Sequence, residues 1–174
     1  SVIRHQGGRE SLVTPLIPAH PHLSCVFLDN GLVSRVIPHG KPAGMVELRL
    51  VVRAGSVLED GDQLGVAHVL EHLAFRGSDQ FPDDGLVRAL AAYGNRFGAH
   101  LNATTSFETT IYKLQLPVEA LELGITVLHE WAAGLALPSD AIEAERLVVL
   151  EEWRRGRGPG ARARDVLHPL AFGG

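Results

Sequence analysis

The spacing of apolar and polar positions divides the chain into short strands interleaved with helices. The β-rich runs 24–28 and 32–37 flank Asp29-Asn30-Gly31, and Asn-Gly is a strong hairpin signal because both residues tolerate positive φ. Val46-Glu47-Leu48-Arg49-Leu50 alternates apolar and charged residues, the pattern of a strand with one buried face. Val66, Val69, Leu70 and Leu73 recur at helical spacing and predict a helix over 65–75. Asp83 and Asp84 are N-cap candidates for a second helix, with Leu86, Val87 and Leu90 on its apolar side and Gly94 as its stop. Residues 97–104 and 109–116 read as two further strands joined at Thr105-Ser106. Pro117 can open a helix running to about Ala136. Pro138-Ser139-Asp140 separates it from a last helix over 141–155, which Gly156, Gly158, Pro159 and Gly160 break. The order predicts an α+β fold, a mostly antiparallel sheet packed against helices.

Composition narrows the function classes. A length of 174 residues suits one domain with a sizeable core, and 45% hydrophobic with 21% charged residues excludes wholesale disorder. A formal net charge of −4 argues against a nucleic-acid partner or an anionic membrane surface bound by bulk electrostatics. The uncharged stretch 11–28 is interrupted by Pro15, Pro18, His20, Pro21 and His22, so it predicts no membrane insertion. It reads as an extended lead-in over residues 1–22, ahead of a domain over 23–174. The single cysteine, Cys25, excludes an internal disulfide and a cysteine-based metal site, and reads as a small hydrophobe in a strand. Arg154, Arg155, Arg157, Arg162 and Arg164 read as a solvated helix end, where cations suit the dipole.

The chemistry is concentrated in His68-Val69-Leu70-Glu71-His72. Histidines four apart on a helix project from one face a turn apart, which suits two imidazoles on one metal ion. Glu71 lies three residues from His68 on the same face, where a carboxylate can act as general base in metal-assisted hydrolysis. The bland alternative is a solvated polar face. Against it, Ala67, Val69, Leu70 and Leu73 surround the trio with apolar residues, and buried imidazoles and carboxylates need partners. A hydrolytic zinc site needs a third protein ligand, and with no cysteine free it must be a carboxylate or histidine from another element. The last helix offers Glu145 and Glu152, two turns apart on one stripe, with Glu151 rotated about 100° away. Such a helix can present Glu152 to a metal while Glu145 orients a ligand histidine or the water.

These residues carry a resemblance. His-x-x-Glu-His is the inverted zincin motif, and the chain resembles the pitrilysin or insulysin family of zinc metallopeptidases, family M16. Gly55-Ser56 with Glu59, the run from Gly65 to Gly77, Asn102-Ala103-Thr104-Thr105 with Thr110 and Tyr112, and Glu145-Arg146-x-Val148-Val149-Leu150-Glu151-Glu152 are similar to the family's landmarks, in order. The Glu151-Glu152-Trp153-Arg154 ending resembles a PqqL-like bacterial branch. The resemblance spans residues 28–155. It implies the M16 metallopeptidase fold, one zinc per chain on His68, His72 and Glu152, Glu71 as catalytic base and Glu145 as a carboxylate behind the ligands. It further implies that Asn102 and Ala103 pair with the backbone of an extended peptide substrate.

The family uses a second homologous domain or subunit, whose Arg/Tyr pair helps hold the substrate, and that half is not in this sequence. The expectation is therefore a domain incomplete at its C-terminus, weakly active or inactive alone, with apolar surface that favours homo-oligomers. The PqqL-like branch implies a bacterial periplasm, with the cytoplasm as alternative. Two rival readings stand beside the peptidase: a non-catalytic scaffold subunit of an M16-type heterodimer, and a zinc-stabilised structural domain. The first would usually lack a ligand or the base, and the second would need a fourth ligand.

Overall fold

The computed structural model describes residues 19–158 and residue 167. Most of the lead-in over 1–22, together with Arg162 and Arg164, lies outside the described residues. The chain divides into two units, Ser1–Ala43 and Gly44–Gly174.

In the first unit, β1 (Ser24–Phe27) and β2 (Val33–Val36) pair antiparallel with Cys25 opposite Arg35. Their turn closes through Leu28 N–H on Leu32 O at 2.9 Å, and Gly31 takes φ 87°. The hairpin expected from Asn30-Gly31 is present, and Cys25 is free and half-buried in β1.

The second unit holds a three-stranded antiparallel sheet in the order β3 (Met45–Val52), β5 (Thr110–Pro117), β4 (Leu101–Thr105). Alternation along β5 buries Thr110, Tyr112, Leu114 and Leu116, so its inner face supplies much of the core. Four helices follow the expected order: α1 (Val66–Leu73), α2 (Gly85–Ala91), α3 (Leu121–Ala133) and α4 (Ser139–Gly156). α3 packs on β3 and β5, while α1 lies between α4 and β4. Phe75, Tyr112 and Trp131 form an aromatic node, with Tyr112 and Trp131 stacked at 5.3 Å and Phe75 tilted edge-on to Trp131 at 5.7 Å. Burying rings of this size removes the most apolar surface per residue, so the node anchors α1 and α3 to the sheet.

Two expected boundaries shift. Residues 97–100 form a tight turn and not the start of a strand, because Gly98 takes φ 85° and donates to Leu101 O at 2.7 Å. His100 lies in this turn, and its Nδ1 accepts from Arg96 N–H at 3.3 Å. α3 stops at Ala133 rather than Ala136, because residues 134–136 bond to the loop after α1: Gly134 O accepts from Asp79 N–H at 2.8 Å and Ala136 N–H donates to Gly77 O at 3.1 Å. Among the described residues, no helix is long and apolar enough to cross a membrane.

Candidate metal centre

The helix bearing His68, Glu71 and His72 is held at both ends by groups outside it. Its N-cap, Gly65, has no side chain to satisfy the first-turn N–H groups. The Glu59 carboxylate does so, Oε2 accepting from Gly65 N–H and Oε1 from Ala67 N–H, each at 2.8 Å. An anion here also meets the positive end of the helix dipole. Glu59 is brought there by the turn before it: Ser56 N–H and Val57 N–H donate to Ser106 O and Phe107 O, at 3.1 and 2.9 Å. That turn needs glycine at position 55, since a Cβ would stand 2.6 Å from Phe107 O. At the other end, Trp131 Nε1–H donates to Ala74 O at 3.1 Å.

α4 supplies the carboxylates. Glu145 is buried, and its Oε2 accepts from His72 Nδ1–H at 2.9 Å. With Nδ1 committed as donor, the Nε2 lone pair of His72 points elsewhere. Two turns along, Glu152 Oε2 lies 3.5 Å from His68 Nε2 and 3.6 Å from His72 Nε2. Glu151 faces away toward Arg154 and Arg155, at 3.5 and 3.6 Å. The stripe argument thus separates the two adjacent glutamates as the geometry does.

The donor set suits a zinc ion. One ligand atom from each of His68, His72 and Glu152 lies within 4.8 Å of the others. Two ligands about 2.0–2.1 Å from a tetrahedral ion stand roughly 3.3 Å apart, so the two His–Glu separations are within a few tenths of an ångström of closure. Two neutral imidazoles and one carboxylate also match zinc's nitrogen and oxygen preferences.

Glu71 is buried beside this cluster, and the Thr105 hydroxyl donates to its Oε2. The sequence puts Thr105 in the turn after the strand and in the Asn102-Ala103-Thr104-Thr105 landmark; it is instead the last residue of β4, and its bond to Glu71 spans 34 residues, so no local pattern reveals it. The Tyr112 phenol is pushed up to about 12, first by burial and then by the nearby Glu71 charge. A cleft of about 650 Å³ opens beside Glu71, lined in part by Glu71, His72, Phe75, Asn102, Ala103 and Glu145. Asn102 and Ala103 are thus brought to the same cleft as Glu71, His72 and Glu145, whereas His68 and Glu152 do not line it. Their strand, β4, has a strand neighbour on one side only among the described residues. Ala103 N–H is taken by the Asn102 side-chain Oδ1 at 3.0 Å.

Comparison with known proteins gives this arrangement a lineage. Residues 35–158 match the insulinase family, peptidase family M16. A probable zinc protease PqqL from Haemophilus influenzae is 41% identical over 162 residues, covering 91% of this chain and 17% of that protein. A zinc protease PQQL-like protein from Arabidopsis thaliana is 40% identical over 141 residues, 79% of this chain and 15% of that protein. The crystal structure of the first half of the periplasmic protease PqqL from Escherichia coli superposes with a TM-score of 0.82 at 32% identity, covering 90% of this chain and 34% of the other. The chain therefore spans about one sixth of the length of these two curated relatives. By the family match over residues 35–158 and the superposition on PqqL, the chain belongs to the insulinase family of peptidases, M16.

Proposed function

We propose that this chain carries the zinc-binding and water-activating part of an endopeptidase that hydrolyses peptides or small unfolded polypeptides held in extended form. The observation that carries the reading is the convergence of His68 Nε2, His72 Nε2 and Glu152 Oε2 while Glu145 holds the back of the His72 ring. A zinc ion bound by these three side chains supplies Lewis-acid polarisation of the scissile carbonyl and lowers the pKa of water. Glu71 accepts the proton of the attacking water and is placed to return it to the leaving amine. Thr105 fixes one carboxylate oxygen of Glu71, so the other is the proton acceptor. The open side of β4 at Asn102 and Ala103 receives the substrate strand; pairing there displaces the Asn102 amide from Ala103 N–H, which frees both for the peptide.

A second homologous domain or subunit completes the site, in keeping with the small share of its relatives that this chain covers. The periplasm is the compartment that the name of the Escherichia coli relative supports. The test is a fluorogenic peptide assay on zinc-loaded protein with the downstream half supplied in trans, joined to a zinc titration. Chelator-sensitive turnover should vanish in Glu71→Gln with zinc retained. Glu152→Gln should lose zinc while Glu151→Gln keeps it. Equal zinc binding by the two neighbouring variants would remove Glu152 from the ligand set, and turnover in zinc-loaded Glu71→Gln would remove the base.

A further inference from the structure

Arg76 lies just past the end of α1, where its N–H closes a turn on Leu73 O at 3.0 Å. Its side chain is half exposed and would pass for an ordinary surface cation. Yet its Nε–H donates to Glu145 Oε1 at 2.6 Å, and that carboxylate is only 4% exposed. The two oxygens of Glu145 are therefore divided: Oε1 takes the guanidinium of Arg76, and Oε2 takes Nδ1–H of His72. Nη1 of Arg76 lies 3.9 Å from Asp84 Oδ1 at the start of α2, too long to compete with the Glu145 contact.

A carboxylate taken out of water must be compensated, and neither donor alone satisfies both its oxygens. The guanidinium is always charged and planar, so it supplies a fixed cation and fixes the rotation of the carboxylate about its last bond. That rotation decides where Oε2 points, and Oε2 decides how the His72 ring is turned. An ion pair between two exposed side chains contributes little. This one differs, because its anionic end is buried and its other oxygen grips an imidazole that faces the candidate metal position.

We propose that Arg76 is a positioning residue for His72, acting through Glu145 across a relay that joins the end of α1 to the middle of α4. The inference rests on reading His68, His72 and Glu152 as the metal ligands. Removing the guanidinium leaves Glu145 free to turn toward solvent, and the His72 ring loses its fixed orientation while the fold persists. Groups behind metal ligands typically matter by 10–100-fold in metal affinity, and a residue one step further back should sit near the lower end, about 10-fold.

The experiment is zinc titration of the 174-residue chain against a chromogenic chelator, with the visible spectrum of the cobalt-substituted protein as a report on ligand geometry. Far-ultraviolet circular dichroism checks that each variant is folded. Arg76→Gln should bind zinc about 10-fold more weakly and alter the cobalt bands, Glu145→Gln should lose at least as much, and Arg76→Lys should recover part of the loss. The double variant Arg76→Gln/Glu145→Gln should bind no more weakly than Glu145→Gln alone, because Arg76 acts only through that carboxylate. Wild-type affinity and cobalt spectrum in folded Arg76→Gln would overturn the inference, as would losses that simply add in the double variant. Should Arg76→Gln not fold, Arg76→Lys carries the comparison, and wild-type affinity and spectrum for both it and Glu145→Gln overturn the relay. A wild-type chain that binds no zinc defeats the ligand assignment itself and the relay with it, an outcome distinct from zinc binding that ignores Arg76.

Discussion

Glu130 offers the sharpest test of how the loop after α1 is held. Its carboxylate, 1% exposed, sits inside α3 and accepts from Gln80 N–H at 3.0 Å and from the Gln80 side-chain amide at 3.1 Å. The Gln80 N–H chiefly, together with the Ser78 hydroxyl and His129, holds this carboxyl below its ordinary value of 4.5, against the opposing effect of burial. Gly134 gives the carboxylate its room, since a Cβ there would lie 2.6 Å from Oε2. Replacing Glu130 with Gln keeps the shape but turns one acceptor into a donor that faces another donor. A charged hydrogen bond is worth about 1.5–3 kcal/mol and an unsatisfied buried donor costs a comparable amount, so the variant should be destabilised by about 2–4 kcal/mol at pH 7. For a chain of this size that is a fall in Tm of roughly 5–15 °C. The pH dependence has a definite sign. A folded-state pKa below the unfolded one gives stability that is present above pH 4.5 and lost as pH falls through the folded value. The Gln variant has no such proton to gain, so the gap between the two proteins should narrow steadily below pH 4.5. Urea denaturation of metal-free wild type and Glu130→Gln from pH 7 to pH 3 measures that gap; working without metal removes ligand linkage. A gap that is negligible at pH 7, or that stays constant down to pH 3, would refute the charge-based account.

The remaining predictions concern the clamps on α1 and the aromatic node. Glu59→Ala strips the acceptor from two first-turn N–H groups and should cost about 1–2 kcal/mol in urea denaturation. Glu59→Gln, which keeps one acceptor, should cost less; equal stability of all three proteins would mean that water caps α1 as well as the carboxylate does. Tyr112 should ionise at about 12 in an alkaline absorbance titration, with Tyr112→Phe identifying its step. Because the folded value is raised above 10.0, this phenol removes stability as pH climbs from 10 to about 12, and ionisation near 10.0 in folded protein would place Tyr112 in contact with water.

Whatever repeats at 3.6 or 2 residues was legible before the structure, and whatever depends on a meeting of distant segments was not. His68, Glu71 and His72 share a face by helix geometry alone, and the same arithmetic put Glu145 and Glu152 on one stripe with Glu151 off it. That α1 and α4 face each other follows from the need for a third ligand and from the resemblance, not from any period, because nothing local states which helices will pack. The turn at 97–100 was misread for the opposite reason: Phe97 and Leu101 look like strand residues, and the positive φ of Gly98 outweighs them. Glu59, Arg76 and Thr105 act on the site across 6 to 69 residues of sequence; the resemblance places each inside a family landmark, but no local pattern says what any of them touches. Yet these are the residues that give the site its rigidity. Glu59 and Trp131 fix the two ends of α1, Arg76 and Glu145 fix the ring of His72, and Thr105 fixes Glu71, and every one of these bonds is made between protein groups. The His72 ring and the Glu71 carboxylate are therefore oriented by folding alone, whereas His68 and Glu152 are half-exposed and would be drawn in by a metal, so the ordering cost of binding one would fall chiefly on those two side chains.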